Sequence, residues 1–338
     1  MSEEATSDPA LSGMVLEHLE APLAAFLSAR AGGRLHHAWL FTGPQGLGKA
    51  ALAHRLARLL LGAKPDRALG VAASRSDDPV NRLIEARSHP DFILLNRVGE
   101  DGKAKKTISV DEARRLPDFF SKAPALSPYR VAIIDAAEDM NVNAANAVLK
   151  TLEEPPPRGV VFLISHAPGK LLPTIRSRCR KLDFRPWDDA ELAEFLQSRF
   201  SLAPEEAVTR AALAQGSPGR AMALSDGEAV KIDAAARALL EALPARADAL
   251  IVNLADGFRG GQGMERFSLF IERLADHISR RVRSAEDMNP AARAAWSQAW
   301  TSLVNLPAEA EGINLDRADA LVATTARLGE VARRFPLF

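Results

Sequence analysis

Five short apolar runs mark the first half of the chain, at residues 38–42, 92–96, 131–135, 160–165 and 181–184. They lack the in-out alternation of strands that face water on one side, and helical or loop segments separate them. That pattern predicts a mainly parallel α/β sheet covered on both faces. Two intervening helices announce themselves. Ser109, with Glu112 three residues on, makes a capping box that opens a helix over 110–120. Ala145, Val148, Leu149 and Leu152 follow the i, i+3, i+4, i+7 spacing of one buried helical face. Pro155, Pro156 and Pro157 end that second helix, because proline lacks the N–H and clashes with the preceding turn.

After Pro186 the pattern changes to alanine-rich helical segments with polar joints at 216–219, 226–227 and 260–263 and no convincing strand. The expected layout is a flexible N-terminus at 1–15, an α/β domain at 16–186, a small helical domain at 187–228 and a larger helical domain at 229–338. Residues 62–90 read as a helix with long loops, and residues 99–107 as a solvated hairpin tip.

Composition narrows the class. At 338 residues, 47% hydrophobic and 25% charged, the chain has the make-up of a soluble globular protein of two or three domains. No apolar run approaches the ~18–20 residues that span a bilayer, and the acidic start MSEEATSDPALSG does not read as a secretory signal. A cytoplasmic location is the expectation. A single cysteine, Cys179, excludes an intrachain disulfide framework and any multi-cysteine zinc site. With a formal net charge of zero, only a local basic face would bind nucleic acid; Arg114, Arg115 and Lys122 are candidates, assigned to the capped helix. His36 and His37 are adjacent, and alternation is expected to turn them to opposite faces, against a shared metal ion. Trp296 and Trp300, four apart, are expected on one helical face as core or subunit interface.

The chemistry concentrates in "GPQGLGKA", residues 43–50. A strand before it and a helix after it suit the phosphate-loop pattern G-x-x-x-x-G-K-[ST], whose backbone N–H groups and helix N-terminus face an anion. Gly43, Pro44, Gly46, Gly48 and Lys49 are the candidate cradle. Ala50 stands where a hydroxyl normally helps hold Mg²⁺. Downstream, "VAIID" supplies Asp135 on the metal side, but Ala136 follows where a glutamate would polarise water; Glu138 and Asp139 fall on the next turn. Nucleotide binding is compatible with this pattern. Efficient hydrolysis is not.

Residues 130–184 include "VLKTLEEPPP", an apolar strand and "LPTIRSRC". With "HHAWLFTGPQGLGKA" they resemble the bacterial clamp-loader branch of the AAA+ ATPases over most of residues 34–186. The resemblance implies an AAA+ P-loop domain with a parallel sheet, then a small helical lid and an all-helical collar. It also implies a stator rather than a motor, non-catalytic or weakly ATPase-active by itself. Ser177, Arg178 and Cys179 match the motif whose arginine reaches a neighbour's nucleotide; read without that resemblance, Arg178 is a salt-bridging residue at a helix end sooner than a finger. Ser165 and Arg220 ("GSPGRA") match the two sensor positions, with strand-end and helix-cap roles as the plain alternatives. ATP or ADP, weakly held or not hydrolysed, is the implied cofactor. The implied partners are the gamma/tau motor subunit and the delta subunit of the clamp loader, with the sliding clamp and primer-template DNA reached through the complex. Many relatives carry a four-cysteine zinc module where residues 62–90 stand, and this chain has no cysteine there. No zinc is therefore expected. The rival readings are a self-sufficient motor or recombination helicase of the same fold, and a nucleotide-binding regulator outside replication.

Overall fold

The computed structural model describes residues 20–66, 72–98, 105, 107–224, 227–245, 248–259, 263–285, 288–312 and 315–337. The expected flexible start (1–15) and most of the expected hairpin tip (99–107) lie outside the described residues, as do parts of the joints at 226–227 and 260–263. The chain forms two compact units, Met1–Met222 and Ala223–Phe338.

The first unit is built on five parallel strands, β1 (Ala38–Thr42), β2 (Phe92–Asn96), β3 (Arg130–Asp135), β4 (Gly159–Ser165) and β5 (Arg180–Asp183), in the order β2-β3-β4-β1-β5. All residues of β1 and β4, at the centre, are buried, whereas edge strands β2 and β5 are only partly covered. Trp39 and Phe41 of β1 enter one core with α1 (Glu20–Ala31) and α2 (Lys49–Leu60). Ala38 and Leu40 enter the other, with α4 (Val110–Phe120), α5 (Val142–Glu153) and α6 (Pro173–Arg178). Period-2 side-chain direction thus feeds two cores from one apolar strand. Helix α3 (Pro79–Glu85) precedes β2.

The local signals behave as their chemistry requires. Ser109 and Glu112 form the reciprocal capping box of α4, Asn141 caps α5 by accepting from the Ala144 N–H at 2.8 Å, and α5 ends at Glu153, before the proline run. Several boundaries shift by a residue or two: α2 begins at Lys49, inside the loop motif, β3 and β4 begin at Arg130 and Gly159, and β5 runs Arg180–Asp183; α4 spans 110–120 as expected, so Lys122, assigned to it, lies beyond its end. The histidines also depart from expectation. His36 and His37 precede β1, where strand alternation does not apply, and their rings stack with centroids 4.5 Å apart. One ring nitrogen of each contacts a carbonyl, of Ala38 and Leu152 respectively.

Helices α7 (Asp189–Phe200), α8 (Pro204–Ala214) and α9 (Pro218–Ala223) follow the sheet. The second unit holds α10 (Gly227–Ala242), α11 (Asp248–Gly257), α12 (Gly263–Ser284), α13 (Pro290–Gly312) and α14 (Arg317–Arg334), around a core that includes Phe258, Phe267, Phe270, Trp296 and Leu321. Trp296 is fully buried and its indole N–H donates to the Phe335 carbonyl at 3.0 Å, but Trp300 is 39% exposed. Four residues turn a helix about 40° beyond a full turn, enough to carry the second tryptophan to the rim of the buried stripe. Among the described residues no helix is long and apolar enough to cross a membrane.

One buried charge organises the loop before β3, and nothing in the pattern of residues announces it. The fully buried Asp91 carboxylate accepts from the N–H groups of Ala125, Leu126 and Ser127 at 2.7–3.0 Å. Arg130 lies 3.6 Å from it, donates to the Pro90 carbonyl at 2.7 Å, and covers the Phe119 ring. Removing one member of such a cluster leaves the other charge buried and unpaired. Asp91→Ala is expected to cost about 3–5 kcal/mol of stability, measurable by urea unfolding; a loss within experimental error would show that the loop closes without it.

Candidate functional site

Parallel strands bring their C-terminal ends to one edge of the sheet, where α/β folds characteristically build ligand sites. There the glycine loop leaves Thr42, β3 delivers Asp135, and β4 ends at Ser165 directly beside Thr42. The loop's path requires glycine. Gly43 has φ +139°, and a Cβ there would lie 2.3 Å from the Phe184 carbonyl oxygen; Gly46 has φ +78°. Gly48 caps α2, Pro44 lies in the turn, and Ala50 packs partly buried against the core, a methyl group in the hydroxyl's place.

Lys49 is turned onto its own loop. Its ammonium donates to the Gly43 carbonyl at 2.7 Å and to the Pro44 carbonyl, and the residue is only 2% exposed. Burial lowers its pKa from 10.5 to about 8, against the opposing charges of Asp135 and Glu138. Glu138 does not face water as a hydrolytic base would. On the short turn after β3, its Oε1 accepts from the N–H groups of His166 and Ala167 at 2.7 and 3.0 Å. It ties the end of β3 to the end of β4. Asp139, next to it, pairs with Arg97 at 2.9 Å. Ala136 is buried. His166 is held neutral near pH 7, its pKa lowered to about 4 by burial first and by Lys49 second. Ser165 is fully buried.

The loop tip is also the seat of a helix. The Gly219 N–H donates to the Gly46 carbonyl at 2.9 Å, and the Ser217 hydroxyl donates to the Gln45 carbonyl at 3.1 Å. A Cβ on Gly46 would stand 2.3 Å from the Ser217 oxygen, and one on Gly219 would stand 3.0 Å from the Gly46 Cα. The GSPGRA segment therefore interlocks with the loop. Arg220 begins beside it, half-buried, its N–H donating to the Ser217 hydroxyl at 3.3 Å. The glycine spacing at 43–48 signalled the loop, but nothing local signalled that Gly46 and Gly219 meet 173 residues apart.

Gly43, Pro44, Gly46, Gly48, Lys49, Ala50, Asp135, Ser165 and Arg220 are thus assembled at one place. Arg178 is not among them. It ends α6 immediately before β5, whose Arg180 pairs with Trp39 near the start of β1. At about 3.3 Å per residue, roughly 10 Å of strand separates that register position from Thr42; Arg178 lies still farther back, at the opposite edge. Its guanidinium donates to the Thr174 carbonyl at 3.0 Å and pairs with Glu153 at 2.8 Å. Cys179 packs partly buried, and burial pushes its thiol up to about 12, against any nucleophilic use.

A parallel sheet in this order, with a glycine loop and helix after β1, an aspartate closing β3 and a polar residue closing β4, defines a P-loop domain of the AAA+ class. The profile of the family described as "DNA polymerase III, delta subunit" matches residues 20–188, half of the chain, and the chain belongs to that family. It is 40% identical over 195 residues to DNA polymerase III subunit delta' of Pseudomonas aeruginosa, covering 57% of this chain and 57% of that one. To subunit delta' of Escherichia coli it is 33% identical over 196 residues, 58% of this chain and 56% of that one. To subunit gamma/tau of Mycobacterium bovis it is 38% identical over 169 residues, 50% of this chain and 27% of that one. The chain thus spans a little over half the length of the delta' relatives it matches.

Two outcomes follow from the loop's geometry. Gly46→Ala is expected to destabilise the first unit by about 1–3 kcal/mol through strain at positive φ and to loosen the GSPGRA segment; hydrogen exchange at the Gly219 amide reads the second effect, and unchanged protection would contradict the interlock. Lys49 gives a pH signature. Between about pH 8 and 10.5 the unfolded chain holds a proton that the folded Lys49 has lost, so this group's contribution to stability rises with pH across that window. Below pH 8 both states are protonated and the burial cost is present in full. Lys49→Met removes the effect: the wild-type-minus-variant difference in unfolding free energy is expected to increase from pH 8 to 10.5, and a flat difference would contradict the buried-charge account.

Proposed function

We propose that this chain is a delta'-type stator of a DNA polymerase III clamp loader. It helps to load a sliding clamp onto primer-template DNA, and it completes a nucleotide site on a neighbour instead of running one of its own. One observation carries the reading: Arg178 stands at the sheet edge opposite this chain's own loop, where it cannot serve that loop. In this reading the guanidinium meets a triphosphate bound by an adjacent subunit. Such fingers stabilise charge on the γ-phosphoryl oxygens and are worth about 10³–10⁵ in rate at their own site. Ala50 and Ala136 support the complementary half, since the groups that handle Mg²⁺ and the attacking water are methyls.

The partners in this reading are the gamma/tau motor subunit, which receives Arg178, and the delta subunit; clamp and DNA are met through the complex, in the cytoplasm. Helices α10–α14 act as the collar, and α7–α9 as the lid. The loop itself takes ATP or ADP weakly and without turnover, with Gly43, Pro44, Gly46, Gly48 and Lys49 as cradle and Ser165 and Arg220 as its sensors. Asp135, lacking the Ala50 hydroxyl beside it, is a poor Mg²⁺ holder, so binding is expected to respond little to the ion.

The test is ATP turnover by the assembled complex. Arg178→Ala is expected to lower DNA-stimulated turnover by roughly tenfold or more, with assembly intact by gel filtration. Wild-type turnover in that complex would remove the finger role, and substantial turnover by the isolated chain would sink the stator reading.

A further inference from the structure

Arg178 does not project alone. Glu153 is the last residue of α5 and Arg178 the last of α6, and the two helix ends are bridged by a carboxylate–guanidinium contact of 2.8 Å. A second donor of the same guanidinium reaches the Thr174 carbonyl, one turn back in α6, at 3.0 Å. Guanidinium carries five N–H donors in one rigid plane. With two committed to partners from two helices, the plane has a fixed direction and three donors remain for oxygens presented from outside.

Glu153 has no local reason to stand where it does. A helix C-terminus carries partial negative charge and favours cations, so a glutamate in the last position of α5 is disfavoured by its own helix. The Arg178 charge offsets that cost. The side chains are about half exposed, 36% for Arg178 and 49% for Glu153, and an ion pair in that setting adds little to stability. What the pair does supply is orientation, and alignment at a reacting centre affects rate far more than it affects folding.

We infer that Glu153 is a positioning residue for Arg178, holding the guanidinium in the direction in which it meets the nucleoside triphosphate bound by an adjacent subunit. The inference rests on the finger reading of Arg178.

The experiment uses complexes assembled with Glu153→Gln, Glu153→Asp, Arg178→Ala and the Glu153→Gln/Arg178→Ala double variant, with ATP titrated in the presence of primed DNA. Glu153→Gln is expected to lower kcat by about three- to fivefold, with KM for ATP and assembly unchanged. Glu153→Asp, which keeps the charge, is expected to recover at least half of the loss. The double variant is expected to be no slower than Arg178→Ala alone, because Glu153 acts only through the arginine. Full kcat for Glu153→Gln beside an impaired Arg178→Ala complex would overturn the positioning role and leave the finger standing. A double variant slower than Arg178→Ala, or a Glu153→Gln chain that does not assemble, would also overturn it, since Glu153 would then act elsewhere. A fully active Arg178→Ala complex would overturn the finger itself and this inference with it.

Discussion

Parallel strand direction is the constraint on which the rest of the first unit depends. When every strand runs the same way, each crossover helix must return the chain to the starting edge, so all strand ends with like polarity gather on one side. The loop after β1, Asp135 at the end of β3 and Ser165 at the end of β4 share that side, and the order β3-β4-β1 makes them neighbours, although more than 120 residues separate the first from the last. The same rule puts Arg178, which precedes β5, on the other side. A single chain therefore carries its glycine loop at one edge of its sheet and Arg178 at the other. In the proposed reading, a row of such domains brings the edge of one against the edge of the next.

The loop edge is governed by a buried cation. Lys49 has little access to water, so its ammonium takes the carbonyls of Gly43 and Pro44 as partners, while Asp135 and Glu138 supply opposing charge. Glu138 is itself committed to two backbone N–H groups at the end of β4. These contacts give the loop motif a structural duty that does not require hydrolysis. The glycines have a second one. Gly43 lets the Phe184 carbonyl approach, and Gly46 lets Ser217 and Gly219 seat on the loop tip. Losing the hydroxyl at position 50 leaves that packing intact, whereas a side chain at either glycine would disturb it.

At the other edge, two helix ends meet through opposite charges. Glu153 opposes the dipole of α5 and Arg178 suits that of α6, so the pair balances a local mismatch and gives the arginine a direction. Asp91 does comparable work inside the unit, where three N–H donors and Arg130 surround a carboxylate with no access to water. The two clusters differ in consequence because they differ in burial: breaking the inner one is a folding cost, and breaking the outer one is an orientational cost.

The strands and capped helices were readable along the chain because their signals are local. Apolar runs, the Ser109–Glu112 spacing and the proline stop at 155–157 each act within a few residues, through desolvation, backbone hydrogen bonds and ring sterics. The glycine loop and its two missing groups were readable for the same reason. Strand order was not, since nothing within β1 states that β4 and β5 flank it. Nor were the contacts of Glu138 with His166, of Gly46 with Gly219 and of Glu153 with Arg178, which join residues 28, 173 and 25 positions apart. A local rule also failed at His36 and His37, which lie outside the strand whose alternation was applied to them, and spacing did not decide that Trp296 is fully buried while Trp300, four residues on, is 39% exposed. By itself the sequence determined which segments become strands and helices and which residues of the loop motif are present or replaced, because those depend on neighbours along the chain. Only the tertiary structure decided which edge each group occupies and what it touches, because those depend on how the sheet is ordered and which charges are shut away from water.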